Sequence, residues 1–321
     1  MKEGNLLVRV KNRVPILFGI VTMVLYLVLL NVGALGIVFA FGDLIGSDAY
    51  LLQFLGTFLV SLFLLLIIKG IGFAWIFKTK SRGLLYNIGT AGYMLTVAGI
   101  ALASNMGMYL LAADHTLNKA QPLLRIITFI LAMAGIGFSE ELAFRGIFTN
   151  ILKEKFSVRS DKDIFLILVI QGVVFGGCHM VNVLSGASYV GVIVQAIMAT
   201  LLGILLGAIY LRTNSLWFVA FLHGLNDFAA LIGSGLYGMD SMTDTISNYS
   251  WANLAGAPVY ILVICILLRS SKRKEIKGEP VEELPVAMKV VKGVLLTGFS
   301  LFMMLLMFVS TLYATWVGME I

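Results

Sequence analysis

An all-α fold, a polytopic bundle of eight to nine membrane-spanning helices, is predicted by three observations. Of the 321 residues, 60% are hydrophobic and 12% charged, with a mean hydropathy of +0.98, where a water-soluble domain of this length needs far more polar surface. The apolar residues are gathered into runs long enough to cross about 30 Å of hydrocarbon as helices. The basic residues collect on one side of those runs.

The runs lie near Pro15 to Phe41, Tyr50 to Phe77, Leu84 to Ala112, Pro122 to Leu152, Ile164 to Val183, Val190 to Leu211, Leu216 to Tyr237, Trp251 to Leu268 and Val290 to Trp316. Nine spans follow, or eight if one is re-entrant or peripheral. The first run has basic residues before it, but it is too long for a signal h-region and lacks a small-x-small cleavage site, so it reads as a retained anchor.

Topology follows lysine and arginine, not net charge. With the N-terminus in the cytoplasm, 19 of the 23 basic residues fall on the cytoplasmic side. They comprise four before the first span, three at Lys78 to Arg82, four at Lys153 to Lys162, one at Arg212 and seven at Arg269 to Lys292. Trp75, Trp217, Trp251 and Trp316 sit near span ends, as an interfacial belt requires. The net charge of +6 is that of basic loops facing an anionic inner leaflet, and no nucleic-acid patch is present. The hydrophilic linker Ser270 to Pro285 reads as a solvated charge run. Cys178 and Cys265 lie in helices far apart in the chain, which argues against a disulfide framework. No internal repeat of the kind that builds many transporters is evident.

With the spans drawn, three of the 17 acidic residues fall inside them, Glu140, Glu141 and Asp227, together with His179 and His223. Ionisable groups at membrane depth are expensive and mark functional sites by default. Within FSEELAFRGIF, Glu141 and Arg145 are i,i+4 neighbours that can pair, whereas Glu140 points about 100° away and stays free for chemistry. In FLHGLND, His223 and Asp227 share one face with Asn226 to its side, and in FGGCH, Phe175 sits one turn from His179. A hairpin turning near Val158 to Asp161 sets Glu140 and His179 at similar depth, and His223, about 16 Å past Arg212 along its helix, lies near midplane. A carboxylate, two imidazoles and a further carboxylate or amide supply a base for water and donors for an oxyanion, the needs of amide hydrolysis. No serine or cysteine nucleophile is forced by the pattern.

EELAFRG, then FGGCH, then HGLND resembles the three-motif signature of the type II CAAX prenyl endopeptidase family, also called the CAAX-protease and bacteriocin-processing family of intramembrane proteases. The resemblance spans about Pro122 to Tyr237. It implies a helix bundle with a central, conical cavity open to cytoplasm and membrane. It also implies a catalytic set of Glu140 and His179 activating water, with His223 and Asp227 holding the oxyanion or orienting the site. Glu141, Arg145, Asn226 and Phe175 would support them. The eukaryotic prenyl-protein enzymes carry Asn where Asp227 stands, so two readings are open: Asp227 serves the oxyanion, or Asp227 orients His223 and Asn226 is the amide donor. A mechanism without a cofactor is favoured; a His₂Glu zinc site is the alternative, although no HExxH spacing fixes it.

The chain accordingly divides into an N-terminal basic segment with three spans (1–121), a protease-like core (122–237) and C-terminal spans with a basic loop (238–321). The expected partners are the lipid bilayer and a membrane-associated or lipidated peptide or protein, and the expected setting is a bacterial plasma membrane. Two other functions use the same charges, a transporter with a proton relay and a non-catalytic bacteriocin-immunity scaffold. Glycine pairs Gly172/Gly176 and Gly203/Gly207 are expected to let helices approach closely.

Overall fold

The computed structural model describes residues 5–45, 48–79, 81–111, 120–238 and 241–280, with scattered helical positions between 287 and 309. No strand occurs among the described residues, in keeping with a solvent that offers the backbone no hydrogen bonds and so favours helices. Six helices are long and apolar enough to cross a membrane, or up to eight if each of two bent pairs is one span. The chain is an integral membrane protein of the all-α class. These eight correspond to the first eight predicted runs; the ninth, with Trp316, lies largely outside the described residues, as does His115.

A short helix α1 (Leu6–Arg13) precedes α2 (Pro15–Ile45) and is tied down by Asn5, which donates to Gly70 O at 2.7 Å, and by a 2.5 Å pair between Lys11 and Glu154. Helix α3 (Ala49–Gly70) opens on Asp48, whose Oδ1 accepts from Tyr50 N at 3.0 Å and Leu51 N at 3.1 Å, satisfying amides that a helix start leaves unpaired. It stops short of the predicted Phe77 because Gly72 turns the backbone at φ 81°. The third predicted run is not straight. Helices α4 (Leu84–Thr90) and α5 (Gly92–Leu111) meet at 70°, with α4 pinned by the Tyr86 hydroxyl on Glu275 (2.7 Å) and by Arg212 on that hydroxyl (3.1 Å).

The fourth span covers Leu123–Phe156, 34 residues, as α6 (Leu123–Glu141), a π-helical segment (Leu142–Thr149) and α7 (Asn150–Phe156). At 1.5 Å per residue this is roughly 50 Å, some 20 Å beyond the hydrocarbon, so its far end projects from the bilayer. Ser157 (φ 65°) and Val158 (φ 49°) then turn the chain into α8 (Asp161–Cys178) through a Ser160/Asp163 capping box, the hairpin expected from sequence. A 3₁₀ segment (His179–Ser185) leads to α9 (Tyr189–Thr213), α10 (Leu216–Tyr237), α11 (Met242–Ser247), α12 (Ala257–Leu267) and α13 (Ser270–Lys277).

The charges of α13 are not merely solvated, contrary to expectation. Glu275 pairs with Arg82, Arg273 Nε lies 2.8 Å from Asp161 Oδ2, and Lys277 Nζ lies 3.1 Å from Asp161 Oδ1. The segment is strapped across the ends of α4 and α8, since opposite charges there face it.

Between helices in lipid, apolar side chains gain nothing by leaving solvent, so close contact and polar bonds carry the association. Helix α6 packs against α10 and α3, and α8 against α9. A Cβ on Gly137 of α6 would stand 2.5 Å from Gly224 N and 2.8 Å from Gly224 Cα on α10, a backbone approach only glycine permits. The expected glycine contact between α8 and α9 is present as well, with Gly172 Cα 3.1 Å from where a Cβ on Gly203 would lie. At the centre, Leu142, Phe144, Ile147, Phe148 and Ile151 are fully buried.

Candidate active site

The Gly137–Gly224 contact fixes the site, because each glycine sits beside a charged motif. Gly224 follows His223, and Gly137 lies one turn before Glu140 and Glu141. The result is a link between spans that spacing within one helix does not reveal. Oε1 of Glu141 accepts from Arg145 Nη1 at 2.6 Å and from His223 Nδ1 at 2.8 Å. Both Glu141 and Arg145 are at 0% exposure.

The predicted i,i+4 pair is therefore present, and Arg145 also reaches α9. Its Nη2 donates to Gly203 O at 2.8 Å, an oxygen that takes a second bond of 2.8 Å from Gln171 Nε2. The guanidinium carbon stands 5.1 Å from the Phe175 ring centroid. The π-helical segment starts immediately after Glu141, a placement common at functional sites. The carbonyls it displaces are recovered by Asn150, whose Nδ2 lies 2.9 Å from Arg145 O and 3.1 Å from Gly146 O.

Because Nδ1 of His223 faces a carboxylate oxygen, that nitrogen carries a proton and Nε2 is turned into the site. It lies 3.7 Å from Glu140 Oε2 and 3.6 Å from Asp227 Oδ2. Glu141 thus holds Nδ1 of His223 while Asp227 stands beside Nε2.

His179 ends α8, with Nδ1 2.9 Å from Phe175 O. That bond to a carbonyl again places the proton on Nδ1 and leaves Nε2 free. The Phe175 ring touches both imidazoles, with centroids 4.9 Å from His179 and 5.7 Å from His223, and is itself held by Phe144 at 4.8 Å. Glu140 and Asp227 keep side-chain exposures of 18% and 23%. Oε2 of Glu140 is buried without a hydrogen-bond partner. No ion pair joins Glu140 directly to His179 among the described residues, and Asn226 on α10 is half-buried.

All eight sequence-predicted residues lie on α6, its π-helical continuation, α8 with the residue that caps it, and α10. Those that sequence reasoning missed are Gly137, Gly224, Gln171 and Asn150. The glycines carried a signal, small residues next to buried charge, while the two amides carried none. A cleft of about 260 Å³ lies between α3 and α6, lined by Phe54, Phe58, Leu65, Leu131 and Phe138 among others. None of the predicted site residues lines it. Among the described residues, no group of three His, Cys, Asp or Glu side chains is placed to hold a metal ion.

Residues 122–229 match the family model described as type II CAAX prenyl endopeptidase Rce1-like. This segment, about a third of the chain, is similar to the type II CAAX prenyl endopeptidases. It contains Glu140, His179, His223 and Asp227, and it bears out the resemblance carried by the three motifs. No curated protein and no solved structure matches the chain. The Rce1-like segment supports protease activity at the membrane in broad terms, with a peptide or protein at the bilayer as its object.

Proposed function

We propose that the protein is an intramembrane endopeptidase that hydrolyses a peptide bond of a membrane-associated or lipidated peptide or protein. Glu140 takes a proton from a water that it shares with His179 Nε2, and the oxygen of that water attacks the scissile carbonyl carbon. Glu140 then returns the proton to the leaving amide nitrogen as the C–N bond breaks. A base acting through one water needs access for it, and the Glu140 side chain keeps 18% exposure. His223, held at Nδ1 by Glu141, presents Nε2 to the oxygen that becomes an oxyanion and donates when it carries its second proton. Asn226 is the amide donor, and Asp227 bounds the pocket opposite Glu140. No step is routed through a metal.

The observation that supports this most is the convergence at His223 Nε2, with Glu140 from one span and Asp227 from another within 3.7 Å and the Phe175 ring against both His179 and His223. The test uses purified protein in lipid nanodiscs with a lipidated peptide library, read by mass spectrometry with and without chelator. Cleavage is expected in the wild type regardless of chelator and is expected to vanish in Glu140→Ala and His179→Ala. Cleavage that persists in Glu140→Ala sinks the assignment, and proton flux into liposomes that depends on Glu140 without any cut peptide selects the transporter instead.

A further inference from the structure

Helix α2 turns most of its length outward, with Val24, Leu25 and Val28 about half exposed, yet Tyr26 is only 2% exposed. Tyrosines in membrane helices favour the interfaces, where the hydroxyl meets water. Tyr26 lies 11 residues past Pro15, about 16 Å along the helix, well inside the span. A buried phenol needs a partner for its hydroxyl, and the one it has is thin. The oxygen is 3.5 Å from Ser139 Oγ, and Ser139 already donates its proton to Ile136 O at 3.2 Å.

The surroundings of that hydroxyl are the site itself. Ser139 directly precedes Glu140, and the hydroxyl lies in the electrostatic field of Glu140, of Cys178 beside His179, and of Asp227. One side chain from α2 therefore points to the meeting place of α6, α8 and α10. It comes from outside residues 122–229 that carry the family match.

We propose that Tyr26 is a further catalytic residue, its phenolic O–H donating a hydrogen bond to the oxyanion on the scissile carbonyl. The proposal rests on the hydrolase reading above. Tyr26 adds to the donors His223 and Asn226 in a site rich in acceptors, where carboxylates accept and each histidine has committed its Nδ1 proton. A neutral phenol donates without any change of protonation. The bond forms as negative charge builds on the carbonyl oxygen and is released when the C–N bond breaks, so no proton leaves the phenol. A donor already in place and shielded from water is worth most when charge develops.

Tyr26→Phe removes one oxygen and keeps the ring that fills the core. The probes are the library peptide cut fastest by the wild type and its phosphonate analogue, whose tetrahedral phosphorus replaces the scissile carbonyl. Loss of one oxyanion donor is expected to lower kcat by about 10²-fold with KM little changed, and to weaken phosphonate binding by a similar factor while uncleaved peptide binds as before. Cleavage that depends on Glu140 but is unaltered within twofold by Tyr26→Phe overturns the proposal and leaves the hydrolase reading standing. Equal weakening toward peptide and phosphonate, or a lower kcat with unchanged phosphonate affinity, overturns it too, since the first marks ground-state packing and the second an effect on Glu140. Cleavage that survives Glu140→Ala removes both together.

Discussion

Replacing Arg145 with methionine leaves the Glu141 carboxylate in a place that water does not reach. The two charges are 2.6 Å apart with neither side chain exposed, and at an effective dielectric near 20 their attraction is about 6 kcal/mol before desolvation is counted. Truncating one partner of such a buried pair costs about 3–5 kcal/mol, because the survivor is left uncompensated. The carbonyl of Gly203 keeps its bond from Gln171, so the second lost hydrogen bond adds little. A fall of the thermal midpoint on the order of 10 °C follows, read by tryptophan fluorescence in nanodiscs. The pairing with Glu141→Gln separates charge from packing. The single Glu141→Gln variant strands Arg145 and is similarly destabilised, whereas the double variant strands nothing and recovers about 2–3 kcal/mol relative to the sum of the singles. Cleavage does not recover with it, because His223 Nδ1 has lost its carboxylate. A shift below 2 °C for Arg145→Met, or a double variant no better than additive, refutes the argument that this pair carries a net structural load.

Three further outcomes follow. Gly137→Val drives a branched side chain into the backbone of Gly224, costing about 1–3 kcal/mol as overpacking does and lowering kcat more than tenfold as the Glu141–His223 bond stretches; Gly36→Ala, which meets nothing within 4 Å, serves as the neutral control in the same cleavage and melting assays. Asp227→Asn keeps cleavage within about tenfold of the wild type, since an amide accepts and donates in the same place, while Asp227→Leu loses it. Glu275→Gln removes the anion that Arg82, Tyr86 and Lys272 share, so α13 lifts and trypsin cuts at Lys272 to Lys277 several times faster at unchanged melting temperature.

The spans were legible because lipid makes each a nearly unbroken apolar run, and the same cost of charge singled out Glu140, Glu141, Asp227, His179 and His223. The pair Glu141–Arg145 was legible because it lies within one helix, where spacing fixes geometry. The bond from Glu141 to His223 was not, since it depends on how α6 and α10 are rotated about their axes, and that is set by two glycines whose contact is invisible until the helices are side by side. The bend at Ala91 and the strap formed by α13 escaped for a related reason. The strap rests on Glu275 meeting Tyr86 and on Asp161 meeting Arg273 and Lys277, partners far apart in the chain. Tyr26 gave no periodic signal at all, being one aromatic within a run of aliphatic residues.

The two adjacent glutamates divide stability and chemistry between them, and this makes the effect of each separable. Glu141 joins α6 to α10 through His223, and through Arg145 reaches Gly203 on α9, whose carbonyl Gln171 on α8 also binds. In a solvent that gives helices no hydrophobic reason to associate, these bonds are the fastening of the bundle. Among the described residues Glu140 makes no hydrogen bond, its buried Oε2 having no hydrogen-bond partner. A charge kept in that condition disfavours the folded state, and its removal relieves like-charge repulsion with Asp227 and Glu141. Glu140→Ala is therefore expected to match or exceed the wild-type melting temperature, by up to about 2 kcal/mol equivalent as in other stability–activity trades, while losing cleavage. Glu141→Ala is expected to lose both. Melting curves of the two variants in the same nanodiscs decide it: a Glu140→Ala protein as unstable as Glu141→Ala means that Glu140 is another fastening and not the free base.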